Sequence, residues 1–586
     1  MSPVQVSARP KDSRSMPRWF LVGMAGIFLA SLALRFWGLS RFNTLVFDEV
    51  YYAKFASAFL KREIVFTGHP PLSTYIIAFG IWLGEKLPWG QSQPQNDLAG
   101  LMLNPFSYRW LNALTGALIP PLVAAIAYQL TRRYGYALIA ALLMAMDGLF
   151  LVESRYALNN VYLISLGLLG HLFLLMAFRA TAGRRWLYLV LAGVGLGGAA
   201  AIKWNGLGFW LGAVAVWLLS WMLYWLDHSS GLQQRLKQWA EAITPARQSS
   251  RTGSQHRERA SQIGLPINSR LKTTSTAPRA GSRGVNRPAN QPVNQPVNQP
   301  ASRSTPRSTS QSASGVPGRP TSRSAGQSAE RRFFAFNQAP PHLIQAVVAF
   351  GVVPALTYYA SWLPYMQVDN SDSNFWQLQA QTYDYHKRVG GLDAHPYCSL
   401  WYTWPLMLRP VAYYYQTGSP APTVGPSLPN AAASAIYDVH AMGNPILWWF
   451  STAAVVLLAL VAVAVLGQKL LLTEAQGQHS LANSSALSFW ATAYLLINWG
   501  ANFLPWVRVT RCLFIYHYME SLIFAVMLLA LILERWFQSR QTWQRTAALF
   551  VTGAILLGFL FWMPLFLGLP LSPEELQLRR WLNSWV

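Results

Sequence analysis

Long apolar runs broken by short polar turns dominate the pattern along this chain. The runs 19–39, 108–130, 161–178, 207–226, 343–363, 446–466, 513–533 and 547–569 approach or exceed the ~18–20 residues needed to cross a hydrocarbon core about 30 Å thick. They predict an all-α polytopic membrane protein. The first run carries Arg35 and lacks a small-x-small cleavage site followed by polar sequence, so it is read as a retained anchor rather than a signal peptide.

The pattern fails over 227–341, which is rich in Ser, Arg, Pro, Gln and Asn and holds the repeat NQPVNQPVNQP. Such a stretch buries too little apolar area to offset the entropy of ordering it, so a disordered linker is expected. A basic arm that touches anionic lipid headgroups near its ends is the functional alternative.

Lys and Arg close to span ends favour the cytoplasmic side. The N-terminal RPKDSRSMPR, Arg132 and Arg133, Arg184 and Arg185, the linker, and ERWFQSRQTWQR are therefore placed inside. VFDEVYY, ESRYALNN, AIKWNG and the loop 365–440 then lie outside. Between the outer Asp48 loop and the inner Arg132–Arg133 turn the chain makes one net crossing, yet both 71–87 and 106–130 are apolar. The shorter segment is expected to be a partial or returning helix, and the count comes to about 11 crossings. The expected organisation is a cytoplasmic tail (1–16), a membrane module (17–226) with an outer loop at 40–70, a basic cytoplasmic linker (227–341), one membrane helix (342–364), an outer loop (365–440), C-terminal membrane helices (441–570) and a tail (571–586).

Composition supports this reading: 12% of residues are charged, against roughly 25% in soluble domains. A net charge of +24 invites a nucleic-acid partner until the charge is located. Between residues 227 and 332 there are 17 basic and 4 acidic residues, about half of the excess, so no nucleic acid is expected. Cys398 and Cys512 are the only cysteines, and neither a disulfide framework nor a zinc cluster is expected of them.

The topology collects the unusual polar groups on the outer face: Asp48, Glu49, Lys54, His69, Glu153, Arg155, Lys203, Arg409, Arg511 and His517. Ionisable groups near hydrocarbon are costly and are functional candidates by default. For Lys54, Arg409 and Arg511 the alternative of snorkelling to headgroups stays open.

The succession FDEVYYAKFA, GHPPL, SRYALNNVYL, KWNGL, WYTWPL with RPVAYYY, and FIYHYMESLIF resembles the protein O-mannosyltransferases, which have the GT-C architecture and use dolichyl- or polyprenyl-phosphate-mannose. The likeness runs from about residue 17 to 570 apart from the linker. Each motif alone is weak, and six in order are specific. The resemblance implies transfer of mannose from a lipid phosphate to a Ser or Thr hydroxyl at the outer membrane face, with membrane lipid as the surroundings. Eukaryotic members insert a β-trefoil MIR module in the outer loop. Residues 365–440 leave no room for one, so a compact bacterial form in the cell membrane is expected.

A sugar on a lipid phosphate already has a good leaving group, so two carboxylates in the manner of a glycoside hydrolase are not needed. One base must take the acceptor's proton, and cations must hold the departing phosphate. Asp48 is the expected base, with Glu49 about 100° away on a helix and supporting it. Arg155 is the expected phosphate ligand; His69 is expected to bond the phosphate or to orient Asp48, and Lys203 to reach the phosphate or the sugar. Asn160, Trp204, Trp404, Arg409, Arg511 and His517 are candidates for the substrate groove. The family motif Arg-x-x-Leu-Leu-Asp reads Arg155-Tyr-Ala-Leu-Asn-Asn here, so Asn160 stands where the family has an acid. Asp48, Glu49 and His69 are the one set that would hold a divalent ion, and neither a metal nor another cofactor is expected. Two alternatives stay open: the same fold acting on another sugar or on a lipid or glycan acceptor, and a transporter or flippase.

Overall fold

The computed structural model describes residues 16–63, 65–88, 94–228, 339–368, 373–418, 435–471 and 482–585. All but the last residue of the predicted N-terminal tail and all but the ends of the predicted linker fall in 1–15 and 229–338, outside the described residues. The first half comprises α1 (Arg18–Phe36), α2 (Glu49–Leu60), α3 (Leu72–Gly84), α4 (Pro105–Thr131), α5 (Tyr134–Ala145), α6 (Gly148–Arg155), α7 (Asn160–Ala177), α8 (Ala182–Ile202) and α9 (Leu207–His228). The second half comprises α10 (Leu343–Val368), α11 (Phe375–Arg388), α12 (Pro445–Leu471), α13 (Ala482–Phe503), α14 (Met519–Phe537), α15 (Thr542–Leu567) and α16 (Pro573–Arg579).

Among the described residues, nine helices are long and apolar enough to cross a membrane, and α5 with α6, bent by 63°, makes up to ten. Helix α13 packs beside α9 and α14 as a further member of the bundle. The segment around 71–87 folds as the 13-residue α3. At 1.5 Å per residue it is about 20 Å long, too short to span. In the span that includes α14, 94% of the most apolar window is buried, whereas the figures for α1 and α12 are 17% and 22%. The chain thus wraps α14 and presents α1 and α12 at the rim.

The breaks have local causes. Asn104 caps α4 by accepting from Ser107 N at 2.9 Å, with Pro105 at the first helical position. Asp147 separates α5 from α6 by capping Phe150 N at 2.9 Å, while Trp448 Nε1 donates to its other oxygen at 2.7 Å. The purely helical expectation gains one exception, a small sheet that joins the 365–440 region to the segment after α15. Strands β1 (Val411–Thr417), β2 (Ile436–Ala441) and β3 (Pro570–Leu571) form a small antiparallel sheet in that order.

Candidate active site

The turn that carries VFDEVYY is built around a buried ion pair. Arg109 on α4 donates to Glu49 from Nε at 2.8 Å and from Nη2 at 2.7 Å, and both side chains are fully buried. The other guanidinium hydrogens go to the carbonyls of Leu39, Phe42 and Thr44. Glu49 also accepts from Val46 N and Ala157 N, each at 2.8 Å. With two guanidinium contacts and two backbone donors, its oxygens are committed to scaffolding. Among the described residues no hydrogen bond or ion pair engages the side chain of the adjacent acid. Asp48 is half-buried, precedes α2 without making a cap bond, and follows Phe47, whose φ of 51° is a left-handed conformation that a phenylalanine rarely adopts. Burial pushes the Asp48 carboxyl up to about 6, and Lys203 pulls against that rise.

Asp48 opens into a narrow pocket shared with Phe47, Glu153, Asn160, Lys203 and Tyr413. Lys203 owes its position to a break: α8 stops at Ile202, Lys203 is extended with φ −162°, and a 3-10 turn follows at Trp204–Gly206. Its ammonium is pushed down to about 8 by burial and by Arg511, while Asp48, Glu520 and Glu153 oppose the shift. Asn205 next to it donates to Glu520 on α14.

Lys203 also lines a second space, a cavity of about 890 Å³. His69, His386 and Arg511 surround its polar part, and Trp210 and Leu211 of the membrane helix α9 supply apolar wall. The GHPPL motif explains His69. Gly68 has φ 67°, and a Cβ there would sit 2.5 Å from Tyr385 on α11, so only glycine lets α11 close over this turn. The His69 and His386 rings lie 5.1 Å apart. Burial and the nearby Lys203 and Arg511 hold His69 well below the ordinary histidine range, and the same causes bring His386 down to about 4. Both imidazoles are neutral at pH 7 in a cavity whose lining carries the cations Lys203, Lys387, Arg508 and Arg511.

Several sequence expectations are corrected. Arg155 is not presented to a phosphate: its guanidinium donates to the carbonyls of Leu34, Arg35, Trp37 and Gly38, closing the end of α1. A helix C-terminus carries unpaired carbonyls and partial negative charge, which is what draws the guanidinium there. Arg409 donates to the Pro396 carbonyl and lines neither space. Trp404 is buried, bonded to Ser399 Oγ at 2.8 Å and stacked on His517, whose Nδ1 is bonded to the Phe514 backbone, so both are packing residues behind the cavity. Trp204 does line the cavity and donates to Tyr358 at 2.9 Å. The two cysteines form a disulfide, Cys398 to Cys512, with Cα atoms 5.1 Å apart. It ties the 365–440 loop to the residue after Arg511. Among the described residues no three His, Cys, Asp or Glu side chains gather to hold a metal. Arg109, His386 and Tyr413 were not anticipated. Arg109 sits inside an apolar run, a signal that an intramembrane charge can give, whereas His386 and Tyr413 reach the site only through tertiary folding.

This geometry can be set beside known proteins. A family profile described as dolichyl-phosphate-mannose-protein mannosyltransferase matches residues 25–244, and one for the C-terminal four-span region of protein O-mannosyltransferase matches 372–585. The chain belongs to the protein O-mannosyltransferase family. Protein O-mannosyl-transferase 1 of Mus musculus is 33% identical over 196 residues, which is 32% of this chain and 26% of that protein. The polyprenol-phosphate-mannose–protein mannosyltransferase of Mycolicibacterium smegmatis is 24% identical over 270 residues, 41% of this chain and 47% of the relative. The match thus spans less than half the length of these relatives. The S. cerevisiae protein O-mannosyltransferase Pmt1-Pmt2 complex bound to the sugar donor shares the fold, with a TM-score of 0.62 at 13% identity over 98% of this chain and 93% of that one. The family's GT-C fold is therefore the fold of this chain.

Proposed function

We propose that this chain transfers mannose from a polyprenyl-phosphate carrier to Ser or Thr hydroxyls of proteins at the outer face of a bacterial cell membrane. The observation that carries the reading is the position of Asp48: an uncommitted, half-buried carboxylate beside Lys203, where a narrow polar pocket meets a cationic cavity walled by membrane helices. The names of the mouse and mycobacterial relatives support the sugar, the carrier and the acceptor. A disulfide near Arg511 fits an oxidising compartment outside the cytoplasm, in keeping with basic turns on the opposite side.

In this reading the lipid chain lies along α9 and the phosphate sits against Lys203 and Arg511, with neutral His69 and His386 as hydrogen-bond donors. The mannosyl group points toward Asp48. The acceptor hydroxyl attacks C1 as Asp48 takes its proton. The new C1–O bond forms while the bond from C1 to the phosphate oxygen breaks, and that oxygen leaves with the electron pair. Lys203 and Arg511 hold the charge as it grows, which is where fixed charges lower a barrier. A single displacement inverts the anomeric centre. No step uses a metal ion.

Two expectations follow at once. Because the base works deprotonated and its carboxyl is raised to about 6, kcat/KM is expected to fall about tenfold per unit below that pH and to level off above it, until Lys203 titrates near 8. A pH profile that stays flat from 7 down to 4.5 contradicts this. Arg511→Ala is expected to raise the donor KM by about 10- to 100-fold, the worth of a hydrogen bond between charged groups. Arg155→Ala instead lowers thermal stability and leaves the donor KM of the folded fraction near the wild-type value. The reading itself is tested with purified full-length protein in liposomes, polyprenyl-phosphate-mannose and a Ser/Thr peptide. Mannosylated peptide supports it. Movement of the lipid across the bilayer without transfer supports a flippase instead.

A further inference from the structure

Glu153 is a buried acid that the chemistry above leaves without a task. It lies on α6, fully buried, in the same narrow pocket as Asp48 and Lys203. Tyr413 donates to its Oε1, and Asn160 Nδ2 donates to its Oε2 at 3.1 Å. Both donors are placed by local irregularity. Tyr413 is the extra residue of a β-bulge, since Ala412 pairs with His440 and Tyr414 with Val439, and bulges re-aim side chains beside sites. Its ring stacks on Phe47 at 4.0 Å and 9°. Asn160 opens α7, just past the break made by Arg155 as it turns back to α1.

One donor on each oxygen leaves a carboxylate with acceptor capacity to spare, because an ionised carboxyl offers about four lone-pair sites. The pocket that Glu153 shares with Asp48 and Lys203 is too tight for a whole sugar ring, so that capacity suits a single hydroxyl reaching in past Lys203, which also lines the larger cavity. Position 160 adds a second observation. This chain has an amide there, in the first turn of α7, and it donates to Glu153. Glu153 is the one carboxylate beside Asp48 in the lining of this pocket, and position 160 supplies a donor to it. An acid at both positions would set two negative charges at hydrogen-bond distance, which is costly.

We propose that Glu153 is the sugar-binding carboxylate of this chain: held by Tyr413 and Asn160, it accepts a hydrogen bond from a hydroxyl of the sugar being transferred. The identity of that sugar as mannose rests on the functional reading above. The same carboxylate fixes which sugar fits, since its place in the pocket selects the hydroxyl it meets.

The experiment compares wild type, Glu153→Gln, Asn160→Asp and the double variant as full-length protein. One readout is the affinity for polyprenyl phosphate and for polyprenyl-phosphate-mannose, from ligand-induced thermal shifts; the other is transfer to a Ser/Thr peptide. Wild type is expected to bind the mannosyl lipid more tightly than the bare phosphate. Glu153→Gln loses that preference by about 10- to 100-fold while its affinity for the bare phosphate is unchanged, and transfer falls in parallel. The double variant, which moves the acid to position 160, regains part of both, whereas Asn160→Asp alone weakens both. Equal loss of affinity for the two lipids, an unchanged preference in Glu153→Gln, or a double variant no better than Glu153→Gln overturns the proposal. If Glu153→Gln does not fold, Tyr413→Phe takes its place: a smaller loss of the same preference supports the assignment, and an unchanged preference overturns it. Absence of peptide labelling by wild type would sink the acceptor reading, while the binding comparison still decides Glu153.

Discussion

Asp48→Asn lowers kcat by about 10²–10⁴-fold, the usual worth of a positioned general base, and leaves donor affinity close to wild type. The expectation is specific because the carboxylate has no structural duty to lose. Asp48 makes no cap bond to α2, and the turn around it is held by Glu49 and Arg109. An amide of the same shape keeps the turn and its strained neighbour Phe47 in place. What it removes is the proton acceptor and the negative charge beside Lys203. Steady-state kinetics with polyprenyl-phosphate-mannose and a Ser/Thr peptide separate the two effects. A fall in kcat at constant donor KM is the signature of a base. A rise in donor KM at constant kcat would make Asp48 a binding group only.

Arg109→Met is expected to be the most destabilising substitution in the scaffold around Asp48. It strips a fully buried Glu49 of its cation and frees the carbonyls of Leu39, Phe42 and Thr44. Breaking one partner of a buried ion pair costs about 3–5 kcal/mol, because the remaining charge stays desolvated and uncompensated. Glu49→Gln is costly for the same reason. The double variant Glu49→Gln with Arg109→Met is expected to be more stable than Arg109→Met alone, since the orphaned charge is gone. Thermal denaturation in detergent across this cycle reads the coupling. Additive losses would mean that the pair contributes no more than its separate contacts.

The fold was legible where hydrophobic length and basic turns carry the information. Eight apolar runs correspond to helices of the bundle, and the shorter of the two apolar segments between residues 71 and 130, expected to be a partial or returning helix, folds as a helix of 13 residues. The site was legible only in part. Asp48, His69, Lys203 and Arg511 do converge, because each sits at a break next to an apolar run, where an ionisable residue stands out. Glu49 and Arg155 stand out in the same way yet serve the scaffold. The sequence does not distinguish a guanidinium that closes a helix end from one that faces a ligand, because the deciding partners are the backbone carbonyls of 34–38 more than a hundred residues away. The disulfide between Cys398 and Cys512, 114 residues apart, and the His386 ring on α11 are likewise products of tertiary closure. Glu153 was visible as an oddity, and its link to Asn160 required coordinates.

The most direct test of the account is the stereochemistry and site of transfer by full-length protein in sealed liposomes, with polyprenyl-phosphate-mannose in the bilayer and a Ser/Thr peptide on the side of the 365–440 loop. The account predicts mannose on the peptide hydroxyl with an anomeric configuration opposite to that of the donor, produced by wild type and lost in Asp48→Asn. Retained configuration, or undiminished transfer by Asp48→Asn, would contradict a single displacement with Asp48 as its base.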